Sequence, residues 1–248
     1  MDISNREYQH ALSLFRRCVE DYHMIGEGDR IAVGLSGGKD SVSMLCLFAS
    51  LRRFYPVPFE LEAITVDMGF AAYDPEPLHA LCRTIDVPLT VVKTDIGEVV
   101  FDIRKEENPC SLCANMRRGA LYSTAKEHRC NKVALGHNQD DAVETFLMSL
   151  FLEGRIHCFR PVTYLSRREI TSIRPLLYIE EKDLRHLAAK CGFPIVKNPC
   201  PANGVTARED TKTLLRKLQK DYPNVKTLIF GAMQRQPVDG WEVADGSV

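Results

Sequence analysis

The chain has 248 residues, 45% of them hydrophobic and 26% charged, which is the composition of a soluble globular protein with one large domain or a domain carrying a small appendage. No apolar run approaches the roughly 18 residues of a membrane-spanning helix, and the polar N-terminus MDISNREYQH lacks the apolar stretch of a secretory signal, so a cytoplasmic protein with no membrane partner is expected. A net charge of −1 provides no global positive field, so any nucleic-acid contact has to come from local patches.

Apolar positions at helical spacing (Tyr8, Leu12, Phe15, Val19) predict a leading helix over Arg6 to Met24. GEGD then turns the chain into RIAVGL, a short strand from Arg30 to Leu35, and SVSMLCLFASLRR follows as a helix. Strands are next predicted at Leu61 to Asp67, Pro88 to Asp95 and Asn131 to His137. Helices are predicted between them, over Pro77 to Ile85 and Ser111 to His128. DDAVETFLMSLFLEG is a helix, EITSIRPL a fifth strand, and Glu180 to Cys191 a further helix. After Cys200 the pattern is helical over Thr206 to Lys220 and Lys226 to Met233. Continuous apolar strands alternating with helices imply an α/β fold: a parallel sheet with helices on both faces and a helical C-terminal tail.

Nine cysteines, an odd number in a long chain, argue against a disulfide scaffold. Cys18, Cys46, Cys82, Cys130, Cys158 and Cys191 read as small buried hydrophobes. The other three stand in two Asn-Pro-Cys turns: Cys110 and Cys113 in ENPCSLC, and Cys200 in KNPCPAN. Pro109 stiffens the first turn and sets Cys110 and Cys113 at a helix start, where the dipole favours ionised, exposed thiols, with Arg117 and Arg118 one turn on. Pro199 and Pro201 bracket Cys200 and deny it regular structure. Taken alone, a C-x-x-C fits a zinc knuckle, a redox pair or part of an iron–sulfur site. Three thiolates are too few for a closed zinc site or a Cys₄ cluster, and would leave one coordination position open.

The strongest local signal is GLSGGKDS, Gly34 to Ser41, between a strand and a helix. Gly37 and Gly38 permit a tight turn and close approach of a ligand, and the following helix start favours an anion. Lys39 adds a full positive charge, while Ser36 and Ser41 can donate hydroxyl hydrogen bonds. It is not a Walker A loop: three residues, not four, separate Gly34 from Gly38, and Asp40 follows Lys39. The string resembles the PP-loop of the ATP pyrophosphatase superfamily, whose members cleave ATP between the α and β phosphates. That resemblance implies a Rossmann-like fold of the adenine nucleotide α-hydrolase type. It also implies adenosine near Asp67 and Met68. ALGHNQDDAVETFLMSLFLEG resembles the Gly-His-x-x-Asp-Asp segment of the tRNA-modifying branch, with Gly136 and His137 beside the nucleotide and Asp140 and Asp141 as candidate Mg²⁺ ligands. Capping of the next helix is the competing reading for both carboxylates.

CSLCANMRRGALY is similar to the C-x-x-C and Arg-Arg-Gly segment of the tRNA 2-thiocytidine synthetase family, and the order of motifs matches over roughly residues 25–236. The resemblance implies a [4Fe–4S] cluster on Cys110, Cys113 and Cys200, with its fourth iron open. It further implies ATP with Mg²⁺, a tRNA substrate, a cysteine desulfurase or other sulfur donor, and a homodimer. The implied reaction adenylates the C2 oxygen of a cytidine and replaces it with sulfur delivered through the cluster, expelling AMP. Lys39 would stabilise the transferring phosphates and Asp40 would orient the loop or metal. The division expected is residues 1–25 as a leading helix, 26–200 as the PP-loop domain with the cysteine site, and 201–248 as a helical extension. RNA would meet Arg52-Arg53-Phe54-Tyr55, Arg117-Arg118, Arg160, Arg167-Arg168 and Arg216-Lys217, though Phe54 reads better as core. Rival readings are a lysidine-type ligase, a zinc- and persulfide-dependent thiolase, and a non-catalytic nucleotide or redox sensor.

Overall fold

A computed structural model describes residues 3–104, 109–196, 200, 207–235, 238, 240 and 241. The strands are β1 (Arg30–Gly34), β2 (Glu60–Asp67), β3 (Leu89–Lys93), β4 (Lys132–Ala134), β5 (Val162–Leu165) and β6 (Ile170–Ile173). They form one sheet in the order β3-β2-β1-β4-β6-β5. All neighbours are parallel except the β5–β6 pair at the edge. This hairpin corrects the all-parallel expectation. β5 is a four-residue edge strand with Tyr164 exposed and none of its residues buried, and so lacks the buried apolar run of the central strands.

The helices are α1 (Arg6–Asp21), α2 (Lys39–Leu51), α3 (Glu76–Thr84), α4 (Ile96–Glu98, running into a π-helical turn Val99–Arg104), α5 (Pro109–Glu127), α6 (Gln139–Leu152), α7 (Glu181–Cys191), α8 (Ala207–Asp221) and α9 (Val225–Arg235). Asn5 caps α1 by accepting from the Tyr8 N–H at 2.8 Å. α1 buries Tyr8, Leu12, Phe15 and Val19, and Phe15 meets Phe48 of α2 edge-on at 4.8 Å. Ile31, Ala32 and Val33 of β1 are fully buried, as a central strand covered on both faces requires. The largest buried cluster also takes Leu215 of α8, Phe230 and Met233 of α9, and Trp241, so the leading helix, the sheet and the C-terminal helices share one core.

Strand order reverses direction between β1 and β4, which puts a crevice at their carboxyl ends, the usual place for a ligand in an open α/β sheet. The loops after β1, β2 and β4 all open there. Among the described residues no helix is long and apolar enough to cross a membrane.

Candidate active site

Gly34 ends β1, and the Leu35 N–H still bonds the Ile64 carbonyl at 2.8 Å, so the loop leaves the sheet from a fixed point. Gly37 has φ +82°, and a Cβ there would lie 2.9 Å from Val196 Cβ, so both conformation and space demand glycine. Gly38 is the extended cap of α2 and offers no side chain to its first turn. The Ser41 hydroxyl braces the loop: it accepts from Ser36 N–H at 3.1 Å, donates to the Gly38 carbonyl at 3.0 Å and lies 3.0 Å from Ser36 Oγ. Lys39 Nζ is held by Asp40 at 3.0 Å and Glu181 at 3.1 Å. Burial would lower its pKa, but the two carboxylates outweigh that and raise it, so Lys39 stays cationic.

Above the loop lies a cavity of about 380 Å³, large enough for a small-molecule ligand. Ser36, Gly38, Asp40 and Ser41 form its phosphate-loop side, and Met68, Phe70 and Tyr73 its β2 side. α5 contributes Arg117, Arg118 and Leu121, and Gly136 and His137 follow β4. A Cβ on Gly136 would stand 3.4 Å from Ser41 N, so glycine lets the two loops close up. Asp67 does not line the cavity; its carboxylate accepts from the Gly69 N–H at 2.9 Å and shapes the turn that presents Met68. One oxygen of Asp40, Oδ1, is buried without a hydrogen-bond partner.

His137 stacks on Phe159 at 4.8 Å, and its Nδ1 is buried without a partner. Burial first, then the charges of Arg174, Arg208 and Arg118, lower its pKa to about 3, so the ring is neutral at physiological pH. Asp141 closes a capping box with Asn138 and bonds Arg208 at 3.0 Å. Burial raises its pKa, and the nearby charge of Asp40 adds to the rise. Asp140 accepts from the Glu181 N–H at 2.6 Å and from Lys226 at 2.5 Å. Asp141 thus caps α6, whereas Asp140 bonds the start of α7 instead, and neither lines the cavity.

Pro109 takes the first position of α5, where its missing N–H leaves no bond unmade. Cys110 in that first turn is exposed and Cys200 half-buried, but Cys113 is buried, 3.6 Å from Met68 Sδ. This corrects the expectation of exposed, ionised thiols at both positions. Burial raises the Cys113 pKa; Arg117 opposes the rise, and charge on Cys200 and Cys110 adds to it. Cys110 and Cys200 therefore each lie within electrostatic reach of Cys113. Asn108 and Lys197 to Pro199, with Pro201 to Asn203, lie outside the described residues. The other six cysteines are buried, and no disulfide joins any of the nine. Among the described residues no three His, Cys, Asp or Glu side chains stand together as ligands of a single metal ion.

Of the candidate RNA contacts, Arg117 and Arg118 line the cavity, while Arg168 donates to the Gly119 carbonyl of the same helix at 3.3 Å without lining it. Arg52 instead donates to the Asp86 carbonyl, and Arg216 pairs with Glu209. Phe54 is 51% exposed, against the core reading. Glu181, Arg208, Lys212, Phe70 and Tyr73 went unrecognised. Acids at the start of a helix and bases along it are what any soluble helix carries, so one sequence offers no signal for them.

A family model for the PP-loop domain matches residues 8–208. The tRNA-cytidine(32) 2-sulfurtransferase of Geobacter sulfurreducens is 37% identical over 234 residues, covering 93% of this chain and 91% of the relative. The enzyme of the same name from Teredinibacter turnerae is 38% identical over 234 residues, covering 94% and 77%. Among solved structures, the U34-tRNA thiolase NcsA from Methanococcus maripaludis, described with its [4Fe-4S] cluster, superposes with a TM-score of 0.76 at 25% identity, covering 93% of this chain and 78% of that one. With a matching family model over most of its length and relatives of this closeness, the chain belongs to the PP-loop family and, within it, to the tRNA-cytidine(32) 2-sulfurtransferases.

Proposed function

We propose that this protein uses ATP to thiolate tRNA, adenylating the C2 oxygen of a cytidine and replacing that oxygen with sulfur. One observation carries the reading: Cys113 touches Met68, and Met68 walls the cavity above the phosphate loop, so thiol and nucleotide chemistry share one partition. A pocket for ATP alone would need no thiols there.

The amides of Gly37 to Ser41 and the Lys39 ammonium would bind the phosphates, with charge stabilisation of the transferring group as their role. Met68, Asp67 and the aromatic pair Phe70 and Tyr73 would shape the adenosine side. Asp40, with a buried oxygen lacking a partner, suits Mg²⁺, which would neutralise the polyphosphate, and Asp141 would have to exchange Arg208 for the ion to join it. Gly136 lets the loops close, and neutral His137 would form hydrogen bonds without carrying charge. Arg117, Arg118 and Arg168 would receive the RNA at the cavity mouth.

Cys110, Cys113 and Cys200 suit a [4Fe–4S] cluster: the donor set is all thiol, Cys110 and Cys200 both act electrostatically on Cys113, and Arg117 partly offsets the burial that raises the Cys113 pKa. Each thiolate of such a cluster binds a separate iron, so convergence on one ion is not needed. When bound, the cluster would supply an open iron to carry sulfide. A desulfurase or another sulfur donor, and pairing into a homodimer, belong to the same proposal.

The test is anaerobic purification with iron and sulfide analysis, followed by incubation with ATP, a sulfide source and tRNA carrying an unmodified cytidine. About four irons per chain, AMP formation and 2-thiocytidine in the digested tRNA are expected. One zinc without acid-labile sulfide would move the reading to a persulfide route, and ATP turnover without thiolation would overturn it.

A further inference from the structure

Lys39 of the phosphate loop does not point into open solvent. Its ammonium is shared between Asp40 at 3.0 Å, the residue next to it, and Glu181 at 3.1 Å, the first residue of α7. An acid at a helix start ordinarily needs no more explanation than the helix dipole. Glu181 departs from that pattern because its carboxylate reaches across to another loop, and because the helix start beneath it is held from outside. The cap residue of α7, Glu180, makes no capping bond with its side chain. Asp140 of α6 supplies the bond instead, accepting from the Glu181 N–H at 2.6 Å. Asp140 is fixed in turn by Lys226 of α9 at 2.5 Å. Two further cations share the Glu181 carboxylate at longer range, Lys212 of α8 at 3.4 Å and Arg185 of α7 at 3.6 Å.

We propose that Glu181 is a positioning residue for Lys39, restricting its ammonium to one region beside the phosphate loop, and that Asp140 sets Glu181 in place by capping α7 across the helix boundary. A lysine side chain has four rotatable bonds and a strongly hydrated head, so left to itself it samples many positions. Two carboxylates restrict it to one region before the phosphates arrive, which removes an ordering step from the reaction. It also gives Asp140 a place in the site without making it a metal ligand. The inference rests on the assignment of ATP chemistry to this loop.

Two measurements on Glu181→Gln test it. In the ATP reaction, kcat should fall at least tenfold while the KM for ATP changes less than threefold, since the lost contribution is orientation and the charge removed is negative. Glu181→Asp should recover part of kcat. Independently of any turnover, the ¹³Cε signal of Lys39, identified by its loss in Lys39→Arg, should stand apart in the wild type. In Glu181→Gln it should collapse toward the average of the exposed lysines. A Lys39 signal unchanged by Glu181→Gln overturns the proposal whether or not the protein thiolates tRNA. So does an unchanged kcat. Where Glu181→Gln melts much below the wild type, Glu181→Asp is read by the same two measurements. Absence of ATP turnover in the wild type with the signal change intact would place the failure in the assigned reaction, and the pairing would stand.

Discussion

The phosphate loop carries its own frame. Ser41 bonds Ser36 and Gly38 within six residues, Gly37 supplies the left-handed turn, and α2 begins directly after it. The cysteine wall has no such frame. Cys110 and Cys113 ride on the first turn of α5, while Cys200 comes from a segment ninety positions later in the chain. What brings that segment in is a bond to the phosphate loop itself: the Val196 N–H donates to the Gly37 carbonyl at 3.0 Å, and its side chain packs against Gly37. On the far side of Cys200, α8 is fastened by Arg208 to Asp141 and Glu144, and by Lys212 to Glu181. The contrast shows a division of labour: a nucleotide cradle whose backbone is braced from within, and a thiol site whose Cys200 segment is tied to that cradle.

Substitutions separate the two regions, and the largest effect falls on the thiols. Changing Cys110, Cys113 or Cys200 to alanine should abolish tRNA thiolation, by a factor on the order of 1,000 or more, while affinity for a non-cleavable ATP analogue stays within about threefold; calorimetry beside a 2-thiocytidine assay checks both halves. Gly37→Ala should damage both regions at once. The residue would be strained at φ +82° by roughly 1–2 kcal/mol, and its Cβ would strike Val196, so ATP affinity and melting temperature should fall together. Val196→Pro deletes the N–H that ties the two sides and also alters the side chain packed against Gly37. Thiolation should drop about tenfold or more with ATP affinity largely kept, and an equal loss of both would erase the distinction drawn here.

Smaller effects probe the α8 fastening. Glu144 is buried against Arg208 and Lys212, and burial raises its pKa to about 7 in spite of both cations. A raised carboxyl pKa means that the folded protein holds the proton more tightly than the unfolded chain. Stability from this group is therefore full below the ordinary glutamate pKa and is lost as pH rises through about 7. Glu144→Gln should flatten the fall in melting temperature between pH 4.5 and pH 7.5; a difference that grows toward acid pH would reverse the sign. At the other extreme, Phe54→Ser removes an exposed ring and should shift stability by less than about 0.5 kcal/mol, a direct check on its surface position.

Much of this was legible from local chemistry. The alternation of apolar strands with amphipathic helices located α1, α2, α3 and α5 to α9 and the five strands β1 to β4 and β6 to within a few residues. The Ser-Gly-Gly-Lys-Asp-Ser string marked the cradle because a phosphate loop is made of consecutive residues. β5 was missed because an edge strand with an exposed face has no continuous apolar run. Cys113 was misread because a helix start says nothing of what packs over it; Met68, Ile96 and Val100 bury it. The bond from the Glu181 N–H to Asp140 was not legible because the two residues lie 41 positions apart in the chain.

The sequence by itself determined the α/β class, the position of the phosphate loop and the identity of three unusual cysteines, because each depends on periodicity or on contiguous residues. Only the tertiary structure decided that Cys113 abuts the wall of the nucleotide cavity, that Lys39 is paired with Glu181, and that the carboxylates of Asp140 and Asp141 are engaged by the backbone and by cations. Those are facts about which distant residues meet, and their physical origin is the packing of α5, α7, α8 and α9 around the carboxyl edge of one sheet, which no local pattern encodes.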